Sequence, residues 1–209
     1  MCIRNRALSV IFKIITLVSF VGGIVLQCIT YSQFLNWDMF AYYTIVSNAV
    51  CVIYFLAAII FGRGRSRFLP RINGAVVMCI MLTMLVYHFM LSGAGFSMAG
   101  TSATANTLLH YISPSMAMID WIVFSEKGRF RVYDPILWTI IPIAYLAVIM
   151  IWGDYVAWYP YYFLDISVMG VKNVILYVAA LMCAYVLGGY LLCGLDKLTG
   201  RVSERTVEL

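Results

Sequence analysis

The chain has 209 residues, of which 64% are hydrophobic and 11% charged, with a formal net charge of +5. Soluble domains carry about 25% charged residues, and a chain this apolar has too few polar groups to cover a water-facing surface. This excludes an ordinary soluble domain, and six bilayer crossings of about 20 residues each would use nearly the whole length.

Apolar runs of crossing length fall near 8–32, 38–62, 72–92, 106–124, 135–153 and 170–194. They are continuous rather than alternating, so they read as helices and not as barrel strands. The expected fold class is all-α, a polytopic membrane bundle forming one domain over 1–209. The first run follows Arg4 and Arg6 but is longer than a signal-peptide core, and no small-x-small site leads into a soluble protein, so it reads as a helix. The second carries Thr44, Ser47, Asn48 and Cys51 at i, i+3, i+4 and i+7, one helical face. The third carries Thr83, Tyr87 and His88. The connection 93–105 is uncharged and rich in small residues, and can lie against the membrane or fold inward. The fourth run carries Asn106, His110 and Ser113, with Ala117 and Asp120 continuing roughly the same face. The connection 154–169 combines Trp158, Tyr159, Tyr161, Tyr162 and Phe163 with Asp154 and Asp165. It reads as an interfacial aromatic belt, with a lid over an outer-facing cavity as the functional alternative. Gly22, Gly23, Gly188 and Gly189 suit close helix approach.

The basic residues set the orientation. Arg4, Arg6 and Lys13 precede or begin span one. Arg63, Arg65, Arg67 and Arg71 lie between spans two and three, and Lys127, Arg129 and Arg131 between spans four and five. Lys197, Arg201 and Arg205 follow span six. Only Lys172, of 14 basic residues, falls on the other side. Positive charge stays inside, so both termini are expected in the cytoplasm, N-in and C-in, and the Arg-rich segment 63–71 is a topological signal rather than a nucleic-acid site. The six cysteines, Cys2, Cys28, Cys51, Cys79, Cys183 and Cys193, form no CxxC pair and read as small hydrophobes. With only two histidines and no nucleotide-binding loop or haem signature, no metal and no cofactor is expected.

Polar groups inside a bilayer are costly and so mark function. In the expected topology Thr44 lies roughly 9 Å below the outer end of span two, and His110 and His88 each lie roughly 6 Å below the outer ends of theirs. Asp120 lies roughly 15 Å below His110. It is too far to bond that imidazole and is expected to pair with an arginine near the inner face. A hydroxyl and an imidazole in one layer suit nucleophilic catalysis, with neutral imidazole taking the proton of the Thr44 hydroxyl and returning it to the leaving alcohol. Asn48, one turn below, is a candidate donor to an oxyanion. Asp38 and Asp165 are candidates to orient the imidazole, and Ser47 and His88 are further oxyanion or orienting candidates. The bland alternatives are a threonine bonded to its own i−4 carbonyl and a histidine serving as an interhelical bond.

At these residues the sequence resembles the androgen-induced / androgen-dependent family of six-helix membrane proteins, and in particular its bacterial branch. The likeness is carried by Tyr43-Thr44-Ile45-Val46-Ser47-Asn48, by Leu109-His110-Tyr111 with Pro114, by Asp120-Trp121, and by Tyr159-Pro160-Tyr161-Tyr162-Phe163-Leu164-Asp165. Each motif is short, and their order makes the likeness specific. The animal members are threonine hydrolases of fatty acid esters of hydroxy fatty acids. The resemblance therefore implies Thr44 as nucleophile, His110 as base, a lipid ester as substrate, and a bacterial cytoplasmic membrane as the location. A lipid ester reaches a shallow intramembrane site by lateral diffusion, with water for deacylation nearby. A second reading makes the polar layer the binding site of a transporter or carrier. Against it stand the absence of an inverted repeat and a layer shallower than the usual midplane site. A third reading is a non-enzymatic membrane scaffold. The sequence names no protein partner.

Overall fold

The computed structural model describes residues 5–30, 37–62, 68–93 and 100–205, which are helical with no strand among them. Cys2, Arg4, Arg63, Arg65, Arg67 and the 94–99 part of the outer connection lie outside the described residues. Helix α1 runs Arg6–Thr30. A 3₁₀ turn at Trp37–Ala41 leads into α2, Tyr43–Phe61. Helix α3, Leu69–Val86, continues as a π-helical turn over Tyr87–Leu91. Helix α4, Gly100–Thr107, passes through a second π-helical turn, Leu108–Ile112, into α5, Ser113–Phe124. A short α6, Asp134–Trp138, is offset by Thr139 from α7, Ile140–Val156. After a 3₁₀ turn at Tyr162–Leu164 come α8, Ile166–Met169, and the long α9, Val171–Arg205.

Five helical stretches are long and apolar enough to cross a membrane: Arg6–Thr30, Tyr43–Phe61, Leu69–Leu91, Asp134–Val156 and Val171–Gly200. They answer to the expected runs one, two, three, five and six. The expected fourth crossing falls on the helical run 100–124, which is not among the five. It is broken by the π turn and carries Asn106, His110, Ser113, Ser115 and Asp120. Only 17% of the apolar window of the last stretch is buried within the protein, and Ile151, Leu191 and Ile53 stand out from the surface. Faces this apolar and this open fit hydrocarbon as their solvent.

Two prolines explain two helix irregularities. Proline has no N–H to donate and its ring crowds the carbonyl four residues back. Pro114 follows His110 by four positions, and the helix widens into the π turn there, with the Ser113 N–H reaching the Leu108 carbonyl. Pro142 follows Trp138 by four, at the α6–α7 offset. The Tyr185 hydroxyl of α9 donates to the freed Trp138 carbonyl at 3.1 Å.

Helix α3 sits centrally, packing on α2, α5, α6 and α9. Close approach depends on particular glycines. A Cβ on Gly23 would meet Leu109 at 2.8 Å, and one on Gly189 would meet Pro135 at 3.0 Å. Gly74, which the sequence did not single out, lies against the Trp138 ring, whereas Gly22 faces open space.

One end of the bundle gathers its charges. Lys13 of α1 and Asp120 of α5 form a buried ion pair. Among the described residues a lysine about two turns inside α1 pairs with Asp120, where pairing with an arginine was expected. Arg71, at the start of α3, grips Asp134, at the start of α6, with Nε 3.1 and 3.0 Å from the two carboxylate oxygens. Asp196 of α9 accepts the Phe130 N–H at 2.9 Å. The opposite end holds Thr44, His110 and the aromatic segment 157–165.

Candidate active site

Thr44 lies in the first turn of α2 and His110 in the middle of the π turn. Their side chains meet: Thr44 Oγ1 is 3.2 Å from His110 Nε2. The other ring nitrogen, Nδ1, is 3.1 Å from the carbonyl of Asn106. A carbonyl only accepts, so Nδ1 carries the proton, Nε2 keeps its lone pair, and the Thr44 hydroxyl donates to it. This is the tautomer that a general base requires.

The imidazole is held on two sides. The Tyr87 ring stacks on it with centroids 3.9 Å apart and planes at 24°. The Asn106 amide donates to the Tyr87 hydroxyl at 2.5 Å. Asn106 therefore fixes the ring through its carbonyl and fixes the ring's neighbour through its side chain. Both π turns of the described chain contribute here, one with Tyr87 and the other with His110. Such turns recur at functional sites because the widened helix re-aims its side chains.

The remaining candidates occupy other positions. Asn48 spends its amide hydrogens on the carbonyls of Thr44, at 2.7 Å, and Leu109, at 3.4 Å. It braces the backbone beneath Thr44 and His110, with both amide hydrogens committed to carbonyls. Ser47 bonds the Thr44 carbonyl at 3.1 Å and the Thr83 hydroxyl at 2.6 Å, tying α2 to α3. His88 is exposed, 3.3 Å from the Tyr111 hydroxyl. Asp38 is exposed in the 3₁₀ turn before α2. Asp165 caps α8, accepting from the Ser167 hydroxyl at 2.6 Å and from the N–H groups of Ser167 and Val168. These bonds, the Ser167 hydroxyl first, hold its pKa below the ordinary carboxylate value. The imidazole's orienting group is thus a backbone carbonyl, and neither carboxylate fills that place.

The aromatic segment folds inward. Tyr161, Phe163 and Leu164 are buried among Tyr43, Cys79 and Ile149, while Trp158 and Tyr162 stay exposed. The segment forms part of the wall of a cavity of about 80 Å³, and that wall also includes Thr44, Thr83 and Tyr145. Leu82, Val86, Leu146, Val178, Leu181 and Met182 make the rest apolar. Tyr161, Phe163 and Leu164 thus line the cavity, while Trp158 and Tyr162 keep the exposure that an aromatic belt needs. Tyr161 lines the cavity, and the sequence did not single it out from the other aromatics of this segment. Its spacing from the exposed Tyr162 gives no signal of burial; the turn at Tyr162–Leu164 does.

Among the described residues no group of three or more His, Cys, Asp or Glu side chains could hold a metal. Cys28, Cys51, Cys79, Cys183 and Cys193 are free thiols. The arrangement assembles a hydroxyl, a base in its accepting tautomer and an apolar cavity, and the chain matches no known family model, no curated protein and no solved structure.

Proposed function

We propose that this protein is an intramembrane threonine hydrolase of lipid esters, of the kind the androgen-induced / androgen-dependent family represents. The observation that supports the reading best is the hydrogen-bonded run from Thr44 through His110 to the Asn106 carbonyl. His110 takes the proton of the Thr44 hydroxyl as Oγ1 attacks the ester carbonyl, and it then protonates the departing alcohol. Water, activated by the same imidazole, hydrolyses the acyl-threonine. The cavity beside Thr44 receives an acyl chain, since its wall is apolar away from the reacting end.

In this reading the chain crosses the membrane six times, with the run 100–124 as the fourth crossing. Its polar residues are shielded by α1, α2 and α3, which pack on it. Both termini face the cytoplasm, in accord with the basic residues, and the site lies just below the outer surface of a cytoplasmic membrane. A carrier would need a polar path to the inner end, where Lys13 and Asp120 are instead locked to one another.

The test is labelling of the detergent-purified protein by a fluorophosphonate, which captures activated hydroxyl nucleophiles. The wild type is expected to label, and Thr44→Ala to lose the label altogether. His110→Ala should slow labelling by about 10²-fold or more, the usual contribution of a positioned base. Labelling of Thr44→Ala at the wild-type rate would remove Thr44 as the nucleophile.

A further inference from the structure

The threonine-hydrolase reading leaves one requirement open. An ester attacked by Thr44 develops negative charge on its carbonyl oxygen, and a buried site must supply a donor to it. Asn48 is committed to two carbonyls, and Ser47 to Thr44 and Thr83. Tyr161 meets the requirement. It lines the same cavity as Thr44 and is only 8% exposed. Its ring stands in the cavity wall beside Tyr43, Thr44 and Tyr145. Its ring is clamped, with Phe163 stacked at 5.2 Å and Tyr42 edge-on at 5.7 Å. The neighbouring Tyr145 hydroxyl commits its proton to the Ala41 carbonyl at 2.6 Å.

We infer that Tyr161 is a catalytic residue, the donor that stabilises the oxyanion formed when Thr44 attacks a lipid ester. This assignment rests on the threonine-hydrolase reading. In the resting site the Thr44 hydroxyl donates to His110, which leaves a lone pair of Oγ1 for the attack. When that lone pair forms the bond to the carbonyl carbon, the C=O π pair moves onto oxygen and the Thr44 proton moves to His110 Nε2. The Tyr161 O–H, in the wall of the same cavity, donates to the new oxyanion. Collapse re-forms C=O, breaks the bond to the alcohol oxygen, and sends the proton from Nε2 to that oxygen. Tyr161 keeps its own proton throughout. Burial supports this role by pushing the phenol pKa up, which keeps the group a neutral donor. The tyrosine also fixes the approach, for the ester must enter from the cavity and not from the side that His110 occupies.

The experiment follows hydrolysis of 4-nitrophenyl octanoate by the full chain in detergent, comparing wild type, Thr44→Ala and Tyr161→Phe. Tyr161→Phe keeps the ring and its stacking and removes only the hydroxyl. Its kcat is expected to fall about 10²-fold, the usual cost of one oxyanion donor, with KM within about threefold of wild type. A kcat within about threefold of wild type, with Thr44→Ala inactive, would overturn the assignment of Tyr161 and leave the hydrolase reading standing. Thr44→Ala at the wild-type rate would overturn both. Should Tyr161→Phe fail to fold, replacing Tyr161 by the near-isosteric 3-fluorotyrosine decides. The alkaline limb of the kcat profile is expected to move to lower pH, and an unmoved limb would count against the donor role.

Discussion

At the scale of single residues, the site turns on how His110 is held. An imidazole on a π turn has room to swing, and two contacts prevent it: the Asn106 carbonyl at Nδ1 and the Tyr87 ring on its face. A misplacement of about 1 Å in a catalytic group can cost 10²-fold in rate. Tyr87→Ala removes the stacked face and leaves the Asn106 amide without its phenol partner. It is expected to lower the fluorophosphonate labelling rate by about 10-fold or more. Tyr87→Phe keeps the stack and loses one hydrogen bond, whose net worth is about 1 kcal/mol. Its labelling rate is expected to fall less than that of Tyr87→Ala. Equal rates in the two variants would mean that the stack does not position the base.

At the scale of elements, the run 100–124 carries the site because it departs from regular α-helix. A straight helix with Asn106 and His110 at i and i+4 would place their side chains on one face, one turn apart. The widened turn instead lets the His110 ring meet Thr44 on α2 while its Nδ1 reaches back to the Asn106 carbonyl. Pro114 enforces that turn. Pro114→Ala supplies the missing N–H, and alanine exceeds proline in helix propensity by about 3 kcal/mol. The variant is expected to melt no lower than wild type by circular dichroism, yet to label more slowly because His110 is re-aimed. A faster or unchanged labelling rate would show that the π turn is incidental. The same physics at Pro142 was solved differently, by a Tyr185 hydroxyl from another helix.

At the scale of the whole molecule, the two ends of the bundle divide the work. One end locks helices together with buried and half-buried charge pairs, and the other keeps an apolar cavity beside a hydroxyl. Arg71 and Asp134 lie 63 residues apart in sequence and join the start of α3 to the start of α6. Asp134 is buried and Arg71 half-buried, so removing the arginine leaves a buried carboxylate unpaired, at less than the roughly 3–5 kcal/mol of a fully buried pair. Arg71→Ala is therefore expected to lower the melting temperature in detergent markedly. Arg71→Lys should recover only part of the loss, since an ammonium cannot match the planar fork. The labelling rate per folded molecule should hardly change in either variant, because the pair sits at the end away from Thr44. A labelling loss that tracks the melting loss would contradict that division.

The sequence by itself determined the helical class, the membrane as solvent and the polar faces of α2 and of the run 100–124. These follow from hydropathy and helical period, which are one-dimensional properties of the chain. The layer shared by Thr44 and His110 was legible for the same reason, since rise per residue converts position into depth. Only the tertiary structure decided the rest. The group that orients His110 is a backbone carbonyl, which every residue possesses and no motif reveals. Tyr161 stands among exposed aromatics in sequence, and the 3₁₀ turn at Tyr162–Leu164 with the Asp165 cap on α8 carries it inside. His88 shares the expected depth but faces outward, because depth along a helix says nothing about rotation around it. Which side chain meets which across helices depends on packing in three dimensions, and that is settled by the close approaches at Gly23, Gly74 and Gly189.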